Sequence, residues 1–219
     1  MTRQVAHRRP LRSLARNTDA VSVMEFALVL PLFMTLGMYG AEIAWLNATA
    51  LEVSQVAVSM ADNASRIGQT DNSGVTPTIS SADVESVLDG ALEEGASANL
   101  EDNGRVILSS LEGHPVTGKQ YIHWQQCKGK GKQESKKGKA DPSGGLLSSL
   151  VNGLTMGGKT IRAPNGGAVM VAEVWYEYKG LFGTLFIDKI MLHEEAAVIA
   201  RDDRSVDNGL TGNDKKNAC

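Results

Sequence analysis

Gly153-Leu154-Thr155-Met156-Gly157-Gly158-Lys159-Thr160 fits the spacing G-x-x-x-x-G-K-[ST], in which loop amides cradle phosphates and the lysine reaches the outer ones. Leu185-Phe186-Ile187-Asp188 would pass for the apolar strand ending in Asp that accompanies such a loop. The chemistry requires a helix directly after Thr160, because the helix N-terminus and the loop amides bind the phosphate together. Pro164, Gly166 and Gly167 follow instead, and then a strand pattern. The match is read as a chance of composition in a Gly-rich loop, and an NTPase is not expected.

Other chemistry-bearing residues are sparse. His7, His114, His123 and His193 are scattered, and His193-Glu194-Glu195 lacks the second His at i+4 that a zinc-binding helix needs. A period-two context is expected to point these side chains to opposite faces. There is no G-x-S-x-G elbow and no C-x-x-C pair, and no spacing of serines and acids nominates a nucleophile with its base. Catalytic residues, metal ligands, cofactors and a small-molecule substrate are therefore not expected, and the chain is read as a non-enzyme.

The elements that carry these residues are set by an uneven charge distribution. The 219 residues are 42% hydrophobic, 21% charged and 5% aromatic, with a net charge of -3, which excludes a mainly disordered, collagenous or polytopic membrane chain. Residues 1–20 hold Arg3, Arg8, Arg9, Arg12 and Arg16 against Asp19, so a basic leader precedes an acidic body. Residues 26–41 carry no charge, and the apolar stretch resumes beyond Glu42 as far as Leu46. As a helix, residues 26–46 are about 31 Å long, which matches a hydrocarbon core of about 30 Å. An all-round apolar surface behind five arginines is read as a spanning helix with its N-terminus cytoplasmic. A removable signal cleaved after Ala48-Thr49-Ala50 is the competing reading; the long apolar run and Glu25 at its edge weigh against it.

Glu25 makes the anchor specific. A carboxylate at the start of a spanning helix is costly without a cationic partner. A cut after Ala20 would create an α-amine on Val21, four residues before Glu25, and in an assembly the amine of one subunit would meet the Glu of its neighbour. The plain alternative is an interfacial Glu favoured by the helix dipole. The string Asp19-Ala20-Val21-Ser22-Val23-Met24-Glu25-Phe26-Ala27-Leu28-Val29-Leu30-Pro31-Leu32 resembles the N-terminus of TadE-like proteins, minor pseudopilins of the Tad (Flp, type IVc) tight-adherence pilus system. The likeness is concentrated in residues 21–46. It implies cleavage by a prepilin peptidase between Ala20 and Val21, with Glu25 fifth and Phe26 sixth in the mature chain. Most prepilins have Gly before the cut, where this chain has Ala20.

Beyond the apolar segment the helix is expected to continue to Ile67, roughly 69 Å from Ser22, with Val53, Val56, Ala57, Met60, Ala64 and Ile67 on one face. A second helix is predicted over 82–100, capped by Ser80 or Ser81. Period-two patterns predict strands over 105–112, 120–127, 168–179 and 189–201, the clearest with Ala168, Met170, Ala172, Val174, Tyr176 and Tyr178 on one face. Helices followed by strands give α+β with an antiparallel sheet, pilin-like in plan. The domain reading is a leader over 1–20, a transmembrane helix over 21–46 and an extracytoplasmic domain over 47–219.

Residues 128–145 form a Lys/Gly-rich insertion, expected to be a flexible solvated loop; without aromatics to stack on bases it is not read as a nucleic-acid site. The Leu181–Phe186 stretch (residues 181–186) is read as a tucked-in loop before a docking surface. Cys127 and Cys219 are expected to pair, which would tie down the tail; free thiols or an intermolecular bond are the alternatives. The resulting expectation is a pilus structural subunit serving adherence, biofilm formation or secretion, with prepilin peptidase, other pilins, the Tad assembly machinery and inner-membrane lipid as partners. The first alternative is an uncleaved, single-pass periplasmic scaffold or binding protein.

Overall fold

The computed structural model describes residues 19–68, 78–114, 116–141, 151–201, 209–212 and 218–219, with side chains from Val21 onward. The chain divides into two compact units, residues 1–44 and 45–219.

Helix α1 (Asp19–Ser65) is a 47-residue helix with Pro31 inside it. Proline withholds an N–H from the helical ladder, and the Thr35 hydroxyl donates to the Pro31 carbonyl at 2.7 Å. In the first unit the apolar side chains from Val21 to Tyr39 are uncovered on every face, among them Met24, Phe26, Leu28, Leu32, Phe33 and Leu36. A helix of this length and composition is apolar enough to cross a membrane.

In the second unit the pattern on α1 becomes one-sided. Val53, Val56, Ala57, Met60, Ala61 and Ala64 are buried at spacings of three and four. They share a core with Val84 and Leu88 of α2 (Ser81–Glu94) and with one face of the sheet. Preceding α2 is β1 (Ile79–Ser80), which pairs in parallel with β8 (Leu210–Thr211). Ser80 caps α2 in a reciprocal box: its hydroxyl accepts from the Asp83 amide and its own amide donates to the Asp83 carboxylate.

The helix predicted over 82–100 stops earlier than its pattern. Gly95 closes α2, a short 3-10 turn follows, and Asn99 takes the left-handed conformation at φ 53° before α3 (Leu100–Asn103). The Leu100 side chain occupies the space that a Cβ on Gly95 would need, at 2.5 Å. Beyond that turn Leu100 is buried in the core.

Four strands form an antiparallel sheet in the order β3-β2-β6-β7: β2 (Gly104–Gly113), β3 (Gln120–Lys128), β6 (Ala168–Tyr178) and β7 (Ile190–Ile199). Each lies within two residues or so of its predicted span, and the mixed α+β class with antiparallel strands is as expected. A bulge at Ser110/Leu111 shifts the β2–β3 register.

The alternation seen in sequence describes only half of the burial. Val106, Leu108, Met170, Ala172, Val174, Tyr176 and Tyr178 face the helices. The opposite face is buried as well: Leu111, Ile122, Val169 and Val171 pack with Leu154, Met156 and Ala163. That cover includes a hairpin of β4 (Leu154–Met156) and β5 (Lys159–Ile161). Its turn, Gly157-Gly158, has φ of 53° and 76°, the positive pair that a two-residue hairpin demands and glycine supplies without strain.

Candidate functional sites

Two regions bear on function, and they lie in different units. The first is the apolar part of α1. Ala20 lies in the backbone of α1; Val21, Glu25 and Phe26 are exposed. Val21 and Glu25, four apart on one helix, lie on the same face. Of the leader expected over 1–20, residues 1–18, His7 among them, lie outside the described residues, and Asp19 and Ala20 already belong to α1.

The second region is the outer face of the sheet. Residues 129–141, within the loop expected over 128–145, are without helix or strand and expose alternate residues to solvent, while the others find defined partners along this face; residues 142–145 lie outside the described set. The Lys130 and Gly131 amides donate to the carbonyls of Glu101 and Gly104, and the Asp141 amide donates to Ile122. Lys128 pairs with Asp89 and Glu85, and the hydrogen bond to Asp89 raises its pKa above the usual lysine value. The Lys136 ammonium stands 4.6 Å from the Trp175 ring centre. Lys137 Nζ lies 2.7 Å from Glu195 and 2.8 Å from the Thr155 carbonyl. The lysines thus find acids on α2, α3 and β7, contacts between segments far apart in sequence.

Beneath this strap the structure gathers a cluster that the sequence reading did not. His193 and Glu195, two apart on β7, project from one face, and it is Glu194 that points the other way. The register places Glu173 of β6 opposite Glu195 and Trp175 opposite His193. His193 Nε2 lies 3.2 Å from a Glu173 oxygen, and its ring stacks on Trp175 with centroids 3.9 Å apart. Glu173 was missed because nothing local marks it; its only signal is a charge inside a strand otherwise apolar from Ala168 to Trp175.

The remaining candidates are structural. Cys127 and Cys219 are joined by a disulfide with Cα atoms 5.5 Å apart, and Arg105 Nη2 donates to Cys127 Sγ at 2.9 Å. Buried His123 contacts Glu112 at 2.7 Å, which also accepts from Tyr121 and Ser110, so this polar group is satisfied internally. His114 Nδ1 accepts two backbone amides of its own turn. The G-x-x-x-x-G-K-T string is the β4–β5 hairpin, with no helix after Thr160, and Asp188 follows a turn instead of ending a strand. In the 181–186 stretch Phe182 meets Phe186 edge to face, while Leu181 and Leu185 are exposed.

Comparison with protein-family models, curated proteins and solved structures finds no match for this chain.

Proposed function

We propose that the chain is a minor pilin or pseudopilin of a Tad-type pilus, anchored by the apolar part of α1, with its N-terminus cytoplasmic and the sheet domain on the periplasmic side of a bacterial inner membrane. One observation carries this reading: a single helix presents apolar side chains on all faces over residues 21–39 and then a one-sided buried face from Val53. The first part suits lateral packing among helices and lipid; the second suits the stem of a folded domain.

In this mechanism a prepilin peptidase cuts between Ala20 and Val21, and Glu25 meets the new α-amine of a neighbouring subunit as helices pack into the pilus or its initiating complex. Phe26 and the residues after it supply the apolar contact. The sheet domain presents surfaces to other pilus proteins, and adherence and biofilm formation follow from assembly.

The test is the N-terminal residue of the mature protein, read by intact mass and sequencing after coexpression with a prepilin peptidase. A chain beginning at Val21 is expected. A chain retaining Met1 would leave an anchored periplasmic scaffold, and one beginning near Leu51 would mean a secreted domain and end the pilin mechanism.

A further inference from the structure

Glu173 is wholly buried in the second strand from the sheet edge. Its oxygens meet the Ser135 hydroxyl, the Lys136 backbone amide and His193 Nε2. His193 is the one partner among these that can carry a positive charge, and only when protonated; a buried carboxylate is costly unless it is paired or coordinates a metal. Two neighbours could complete a coordination set. One ligand atom each from Glu173, His193 and Glu195 can be chosen so that all lie within 4.8 Å of one another. The His193 and Glu195 side chains retain 11% and 19% exposure, so the group is reachable from solvent.

We propose that Glu173, His193 and Glu195 bind one divalent transition ion, Zn2+ foremost, and that Lys137 is the competing cation that holds Glu195 in its absence. An imidazole nitrogen with two carboxylates suits a borderline ion better than Mg2+ or Ca2+, which prefer all-oxygen shells. Tetrahedral zinc holds neighbouring ligand atoms about 3.3 Å apart; the Glu173 to His193 separation is already 3.2 Å. The Glu195 carboxylate has one oxygen 3.6 Å from His193 Nδ1 and the other 2.7 Å from Lys137 Nζ. Glu195 now meets the other ring nitrogen, so metal binding requires its carboxylate to leave Nδ1 for the Nε2 side, a shift bounded by the 4.8 Å within which the three ligand atoms lie; that shift would release Lys137 and leave a fourth position for water. The Trp175 ring fixes the plane of the imidazole, as a neighbour that orients a ligand should. Metal loading and the seating of residues 135–137 are thereby coupled, because both draw on the same carboxylates.

The test uses the full-length chain in detergent, without a histidine tag, stripped with chelator and titrated with ZnCl2 at neutral pH. Bound metal is counted after buffer exchange, and melting temperature and tryptophan fluorescence are followed. One zinc per chain and a raised melting temperature are expected. Affinity should fall about tenfold or more in both His193→Gln and Glu195→Gln, and rise in Lys137→Met. Mg2+ at equal concentration should bind nowhere near as tightly. Absence of stoichiometric zinc, or binding unaltered in both ligand variants, would overturn the site. Should either ligand variant lose its circular dichroism spectrum, Lys137→Met still decides: unchanged or weaker binding there defeats the proposed competition.

Discussion

Asp102 and Lys130 illustrate how far single residues can be read. They meet at 2.5 Å on the surface. The hydrogen bond from Lys130, and then its charge, hold the Asp102 carboxyl below its ordinary value of 3.8, and Asp102 in turn raises Lys130 above 10.5. A lowered carboxyl contributes stability above the unfolded value and loses it as pH falls through the folded one; a raised ammonium contributes below its unfolded value and loses it as pH rises through the folded one. Urea unfolding should therefore show a small advantage of wild type over Lys130→Met at neutral pH that shrinks below about pH 4. An advantage of equal size in acid would show that the pair is not its source. At this scale the sequence reading marked the Lys/Gly-rich stretch over 128–145 but none of its partners. It likewise saw His193 and Glu195 without Glu173, because the β6–β7 register, not local spacing, brings that residue across from 22 positions away.

At the scale of elements, the start of α2 was read and its end was missed. Ser80 and Asp83 are three residues apart, and the box they form is a local bargain between side chain and backbone. Ser80→Ala should cost about 1 kcal/mol, measured by chemical denaturation; no change would mean that the frame of β1 and β8 holds the helix start by itself. The end at Gly95 has a local mark in the glycine itself, which the reading over 82–100 passed through; that Leu100 then turns back into the core is a tertiary outcome. The strands were found because one face alternates. Their second face went unread because its apolar residues, Val169, Val171 and Trp175, fill the gaps in the same run, and only the hairpin and strap explain why they are buried.

At the scale of the whole molecule, the disulfide joins residues separated by 92 positions. Closing a loop of that size stabilises by roughly 4 kcal/mol in the chain-entropy model. Cys219→Ser is expected to lower the melting temperature of oxidised protein, while dithiothreitol should lower that of wild type to a similar point and leave the variant unchanged. A wild-type melting curve insensitive to reductant would remove this contribution. Even cysteine count and an extracytoplasmic reading suggested the pairing, but it takes the position of Cys127 at the end of β3, beside the bridge from Gln126 to Ala218, to bring the two together.

The sequence by itself determined the long N-terminal apolar helix, the α+β order and the approximate strands, because each is a periodic or compositional property of contiguous residues. It also carried the resemblance on which the pilin proposal rests, within residues 21–46. The tertiary structure alone decided how Leu100 returns to the core after α2, what covers the outer face of the sheet, and which charges meet there. Those outcomes depend on strand register and on burial between distant segments, where a buried carboxylate finds its neighbours across strands and not along the chain.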